Sequence, residues 1–219
     1  YPMSSGYESG GYGLINLDGS LTERAVELGK LASLIDRNGV VLSSAKPVRS
    51  QIALLYNPWS QMVGGTRRTT QEDGHINSLI GYYRFLSDQN IPVDFIHRLD
   101  LESGDLSQYK LIIVPYALMF NRKAAESLGE YVKNGGRVLS EARLAWNDER
   151  GYSSDVIPGL GLSEVFGVRE SKVRTLSKVP IRVTDGSHEA MRHLEPGSII
   201  TGSRFAESLE PLKNRKQVR

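Results

Sequence analysis

Between residues 51 and 140 the sequence repeats one rhythm. A short, unbroken apolar run is followed by a stretch with helical spacing. The runs are Gln51–Tyr56 (QIALLY), Val93–His97, Lys110–Pro115 (KLIIVP) and Arg137–Ser140 (RVLS). A strand with one wet face would alternate apolar and polar residues. An unbroken apolar run instead marks a strand buried on both faces, the situation of a parallel sheet covered by helices on either side. The intervening stretches predict helices over Gly74–Gln89, with Ile76, Leu79, Ile80, Tyr83 and Leu86 inward, and over Arg122–Asn134, ended by Gly135-Gly136. With right-handed crossovers the expectation is an α/β, flavodoxin-like three-layer sandwich with a parallel sheet. Beyond Gly151 the rhythm weakens. A short helix is predicted over Leu162–Val168, and strands over Val179–Thr184 and Ser198–Phe205.

The N-terminal segment has a different character. Residues 1–19 are rich in Gly, Ser and Tyr, cannot bury a core alone, and read as a loop of a larger body. Asp18-Gly19-Ser20 predicts a turn and a helix start. A helix over Leu21–Asp36 puts Leu21, Ala25, Leu28, Ala32 and Ile35 on one face, and Asn38-Gly39 should stop it. Ser43–Ser50 is polar, contains Pro47 and reads as a linker. The expected organisation is residues 1–44, a domain over 45–210, and a basic tail over 211–219.

Composition removes several function classes. At 39% hydrophobic and 24% charged, the chain has the makeup of a soluble globular protein. It has no cysteine, so disulfides, thiolate nucleophiles and Cys-ligated zinc are excluded. No apolar run reaches membrane-spanning length and no secretory leader opens the sequence, so no membrane partner and a cytoplasmic location are expected. The tail concentrates Lys213, Arg215, Lys216 and Arg219 without an acid. It lacks interleaved aromatics or a nucleic-acid motif, so it reads as a solvated terminus and no nucleic-acid partner is expected. His75, His97, His188 and His193 show no metal-ligand spacing. Gly186-Ser187-His188 and Gly202-Ser203-Arg204 lack the second glycine of a nucleophile elbow.

Open α/β sheets place function at the carboxyl ends of their strands. Three segments qualify. Asn57–Gly65 carries Trp59 and paired glycines and is expected to lie outside any regular element. Tyr116–Phe120 follows the third strand. Glu141–Gly151 follows the fourth and packs Glu141, Arg143, Trp146, Asn147, Asp148, Glu149 and Arg150 together. Carboxylates beside an indole could bind a sugar or an anion. The same residues could equally form an Arg–carboxylate network that pins a long loop or a subunit contact.

The run Ala53-Leu54-Leu55-Tyr56-Asn57-Pro58-Trp59-Ser60, then Gly81-Tyr82-Tyr83-Arg84 and Ile91-Pro92-Val93-Asp94-Phe95, resembles the trimerisation domain of family 42 glycoside hydrolases. Leu111-Ile112-Ile113-Val114-Pro115-Tyr116, Gly135-Gly136 and Ser140-Glu141-Ala142-Arg143 continue the resemblance in the same order. It implies a class I glutamine-amidotransferase-like fold without amidotransferase chemistry. Active amidotransferases carry a Cys at the turn after the fourth strand, where this chain reads Ser140-Glu141-Ala142. Ser140 lacks an evident activating histidine.

The resemblance also implies that residues 1–44 end a (β/α)8 barrel. Glu8 matches a glutamate that contacts the galactosyl group; the histidine usual three positions later is Gly11. The general acid and nucleophile, two glutamates on earlier barrel strands, are expected upstream of Tyr1. The implied parent is a retaining β-galactosidase that needs no cofactor, and this region assembles it as a homotrimer. It would present Trp59, Glu141, Arg143, Trp146, Asn147 and Glu149 as candidate interface or site residues. An autonomous amidotransferase-like enzyme and a small-ligand or sugar-binding module are the alternatives.

Overall fold

The structure, a computed structural model, describes residues 13–16, 18–46, 48–66 and 74–212. The chain divides into two compact units between residues 48 and 49. In the first, the predicted turn forms. The backbone N–H and the hydroxyl of Ser20 both donate to Asp18 Oδ1, at 2.9 and 2.6 Å, and Gly19 takes φ +83°. Helix α1 spans Glu23–Arg37. It starts two residues later than predicted because Thr22 is its cap, accepting from the Ala25 N–H at 3.2 Å. The expected stop at Asn38-Gly39 is only an interruption. Gly39 does not adopt the left-handed conformation that ends helices, and a short helix α2 runs over Gly39–Ser44, restarted by Leu42 N–H donating to the Asn38 carbonyl at 3.0 Å.

The second unit is built on β1 (Ile52–Tyr56), β2 (Asp94–His97), β3 (Leu111–Val114) and β4 (Arg137–Ser140). All neighbours are parallel, in the order β2-β1-β3-β4, the sequence of a doubly wound sheet. Alternate residues of each strand serve opposite faces. On one face Leu54 and Ile113 pack against helix α4 (Gly74–Asp88) through Leu79, Tyr82 and Leu86. On the other, Ala53, Leu55, Ile96, Ile112 and Val114 meet α5 (Arg98–Ser103), α6 (Arg122–Lys133) and α7 (Leu162–Phe166). Burial on both faces explains why the central strands β1 and β3 read as unbroken apolar runs; the edge strands β2 and β4 leave Phe95 and Leu139 exposed.

Two expectations about this unit are corrected. Asn57–Gly65 is not irregular: α3 occupies Pro58–Thr66, with proline in its first turn and Asn57 Oδ1 accepting the Ser60 N–H at 3.4 Å. The glycines masked these start signals. Helix α4 is rotated from its predicted face. Tyr82 packs inward, while Ile80 and Tyr83 are 40% and 44% exposed and the Tyr83 ring lies 5.4 Å from Phe95 at the sheet margin.

Past α7 the chain forms a ribbon of two antiparallel strands, β5 (Val168–Arg182) and β6 (Ile199–Pro211), paired from Val168 and Pro211 to Arg182 and Ile199. The sequence predicts only the distal part, as two short strands. Both ribbon faces are largely wet and rich in charge, so little burial period existed to mark its length. Among the described residues no helix is long and apolar enough to cross a membrane.

Leu128 is fully buried between α6 and the sheet. Leu128→Ala should cost about 2–5 kcal/mol. Urea unfolding should show a lower midpoint at an unchanged slope.

Candidate functional site

The segments after β3 and β4 do not flare apart. Ala145 N–H donates to the Ala117 carbonyl at 2.9 Å, Asn147 N–H to Leu118 at 2.8 Å, and Phe120 N–H to Asn147 at 3.0 Å. These bonds carry the β3–β4 pairing past the strand ends. Tyr116, Arg143 and Ala145 take φ of 35°, 66° and 52° here, a region non-glycine residues enter at a cost of roughly 1–2 kcal/mol each. Gly159 closes the turn back onto this edge: a β-carbon there would come within 2.0 Å of the Ala145 carbonyl oxygen.

Two polar groups fasten the edge from opposite sides. Glu141 points toward α4. Its Oε2 accepts from the Ser78 hydroxyl at 2.8 Å and the Tyr116 N–H at 3.1 Å, and the Tyr82 hydroxyl also bonds to the carboxylate. Burial pushes its pKa up, and the three donors oppose that shift. The Tyr82 phenol is raised in turn, by burial first and by the Glu141 charge second.

Arg143 points toward the ribbon and is 6% exposed. Its guanidinium pairs with Glu170 on β5, and its backbone N–H donates to Glu207 Oε1 on β6 at 2.6 Å. The guanidinium lies 3.9 Å from the centre of the Trp146 ring. Phe205 of β6 meets Trp146 edge-on at 6.5 Å and stacks on Tyr116 at 6.2 Å. Glu207 is raised from the usual 4.5 to about 7, by burial first, then by the adjoining Glu170 carboxyl.

Trp59 belongs to a separate network. Its ring lies 3.7 Å from the Arg98 guanidinium on α5; Arg98 pairs with Glu102, which also accepts from Asn121 Nδ2 at 2.9 Å. Beneath it, fully buried His75 accepts from the Asn57 N–H at Nε2, 3.1 Å, and faces the Pro115 carbonyl through Nδ1, 2.9 Å. The proton therefore sits on Nδ1, and both ring nitrogens are used structurally.

The structure thus joins Glu141, Arg143, Trp146 and Asn147 at one edge and places Trp59 in another contact set. Glu149 is exposed, and Asn147 is buried with its Nδ2 donating to the Gly151 carbonyl at 3.0 Å. Glu8 lies outside the described residues. The Arg–carboxylate network draws its acids from outside the loop: Arg143 is met by Glu170 and Glu207 from the ribbon, while Asp148 Oδ1 accepts the Arg150 and Tyr152 N–H groups. Tyr116 lies in the second candidate segment; Ser78, Tyr82, Glu170, Phe205 and Glu207 were not foreseen. Serine 140 donates to the Glu141 carbonyl at 3.2 Å. Most polar groups of this edge are engaged in holding its shape, while Arg143 Nε, Asn147 Oδ1 and Glu170 Oε2 are buried without a hydrogen-bond partner among the described residues.

Fold and edge together define a doubly wound α/β domain with a clamped carboxyl edge and a projecting ribbon. A family model described as the beta-galactosidase trimerisation domain matches residues 50–212, and the chain belongs to that family. Among curated proteins, it is 29% identical over 118 residues to beta-galactosidase LacZ of Lactobacillus acidophilus, covering 52% of this chain and 16% of that protein. It is 28% identical over 167 residues to beta-galactosidase BgaB of a Geobacillus species, covering 71% of this chain and 23% of that one. The fold matches Gan42B, a GH42 beta-galactosidase from G. stearothermophilus, with TM-score 0.74 at 19% identity, covering 95% of this chain and 29% of that chain. It also matches the beta-galactosidase from Rahnella sp. R3, with TM-score 0.71 at 20% identity over 90% of this chain and 28% of that one. The chain therefore spans less than a third of the length of these proteins.

Removing the Glu141 carboxylate strands three donors. Glu141→Ala should destabilise the domain by on the order of 2–3 kcal/mol, whereas Glu149→Ala, at an exposed site, should change stability by less than about 0.5 kcal/mol. Parallel chemical denaturation of the two variants measures the contrast.

Proposed function

We propose that this chain is part of a β-galactosidase-type glycoside hydrolase, and that its second unit holds copies of that enzyme together as a homotrimer. The match of residues 50–212 to a trimerisation family carries the reading. The edge geometry supports it: the polar groups that an autonomous amidotransferase-like enzyme would need are engaged in fastening loops. Residues 1–44 are then the end of a catalytic barrel, with Glu8 toward the galactosyl group. Helix α1 supports this assignment, since Leu28, Leu31, Leu34 and Ile35 are 46–52% exposed. Full burial of such side chains against a larger body would gain roughly 1.5–3 kcal/mol each.

The parent would cleave a β-galactoside with retention, through two carboxylates supplied by the rest of the barrel. Its setting would be cytoplasmic, in keeping with a cysteine-free chain. The second unit would act by closing a threefold ring, each copy presenting one surface to the next. The edge at Glu141–Gly151 is the proposed contact, and it would wall the neighbour's active site. Trp146 is half-buried in the single chain and lies beside Arg143; Trp and Arg are the residue types that dominate interface anchors.

Two outcomes follow. These 219 residues, rigorously purified, should not turn over a nitrophenyl β-galactoside that the longer protein hydrolyses; steady turnover would remove the assignment of the catalytic pair to the missing barrel. In the longer protein, Trp146→Ala should weaken trimer assembly by on the order of 2 kcal/mol. Sedimentation over a concentration series reads this, and an unchanged trimer with unchanged turnover would take the loop out of the interface.

A further inference from the structure

We propose that Glu207 carries a proton that it donates to Glu170 beside Arg143, and that this proton latches the β5–β6 ribbon to the loop after β4, so that the joint loosens as the pH rises to neutrality. This inference stands on the cluster itself and does not depend on the assembly reading above.

The geometry sets one cation against two acids. Arg143 reaches Glu170 with its guanidinium and Glu207 only with its backbone N–H, at 2.6 Å. Both side chains of the ion pair are over nine-tenths buried. Two ionised carboxylates side by side would leave an unmatched negative charge in this setting, which is expensive. The hydrogen-bond pattern marks where a proton belongs. Among the described residues, buried Glu170 Oε2 receives no hydrogen bond from a fixed donor, and the Glu207 carboxyl lies within hydrogen-bonding reach of Glu170. A proton on Glu207 supplies the missing donor, turning two repelling acids into a carboxyl–carboxylate pair.

The surrounding charges do not offer a substitute. Arg204 on β6 lies over the Tyr116 ring at 5.6 Å. Arg169 on β5 is paired with Glu210 on β6 at the foot of the ribbon. Glu141 is bound to Ser78 and Tyr116 on the α4 side. Asp155 on the neighbouring loop, Glu164 on α7 and Lys172 on β5 are exposed. The groups acting on Glu207 are Glu170 and Arg143, and its carboxyl titrates at about 7 against the usual 4.5. An acid whose folded value is raised takes up a proton on folding. Its support is complete below about 4.5 and is lost as the pH rises through about 7.

Trp146 reports on the joint, because its ring covers Arg143 and touches Phe205 of the ribbon. The chain has two tryptophans, so Trp59→Phe leaves Trp146 as the sole indole. In that background, fluorescence should follow a one-proton transition with a midpoint near 7. Glu207→Gln keeps an acceptor for the Arg143 N–H and gives Glu170 a permanent donor, so it should abolish the transition. Glu170→Gln should shift the midpoint down by at least about one unit, because Glu207 then becomes the sole counterion of Arg143. Carboxyl-carbon NMR of the unmodified protein provides a second reading should Trp59→Phe fold poorly: one glutamate should titrate near 7. Amide protection at residues 205–211, corrected for the base-catalysed intrinsic exchange rate, should fall as the pH rises from about 4.5 to about 7 in the unmodified protein and stay level in Glu207→Gln. A transition that persists in Glu207→Gln, or carboxyl resonances that all titrate below about 5, would overturn the proposal.

Discussion

A guanidinium buried to 6% exposure must be neutralised where it sits, and in this chain Arg143 has no acid of its own loop to do so. It takes Glu170 from a strand 27 residues further on, while Glu207, 64 residues on, accepts its backbone N–H. That requirement fixes where the ribbon leaves the sheet. It also explains the left-handed backbone at Arg143, whose N–H is thereby turned to Glu207 while its side chain runs to Glu170 beneath Trp146. Glu141, two residues earlier, performs the complementary task toward α4. The two anchors tie one turn to α4 and to the ribbon.

This division of labour commits the edge's side chains to structure. Doubly wound sheets offer strand-end loops as sites because those loops are free to vary. Here the loops after β3 and β4 are hydrogen-bonded to each other, Ser60 and Asn57 are bound to Met119, and His75 spends both ring nitrogens on backbone groups. Tyr116, Arg143 and Ala145 keep strained conformations only because so many contacts specify them. Rigidity of that order suits a surface that must present the same shape to a second molecule.

The sheet was legible because its central strands β1 and β3 are buried on both faces, so QIALLY and KLIIVP stood out without needing alternation. Gly135 likewise marked the end of α6. The face of α4 was misread by one position, because Tyr82 and Tyr83 look alike to a periodicity count and only the Glu141 carboxylate distinguishes them. The clustering of Glu141, Arg143, Trp146 and Asn147 was visible in one segment, but their partners were not. Glu170, Phe205 and Glu207 lie on a ribbon whose wet faces carry little apolar period, and pairing across 27 to 64 residues leaves no local trace. Helix α3 was hidden by Gly64 and Gly65, although Asn57 and Pro58 carried its start signal.

On the proposed function, the clamped edge faces another copy of the protein. Amide hydrogen exchange of the longer protein, compared between its assembled state and a dilution that separates the copies, addresses this most directly. The account predicts that residues 141–151 gain protection on assembly, while the buried strands Ile52–Tyr56 and Leu111–Val114 exchange equally slowly in both states. Protection in 141–151 that is indifferent to assembly would contradict it and return the Arg143 clamp to a purely internal role.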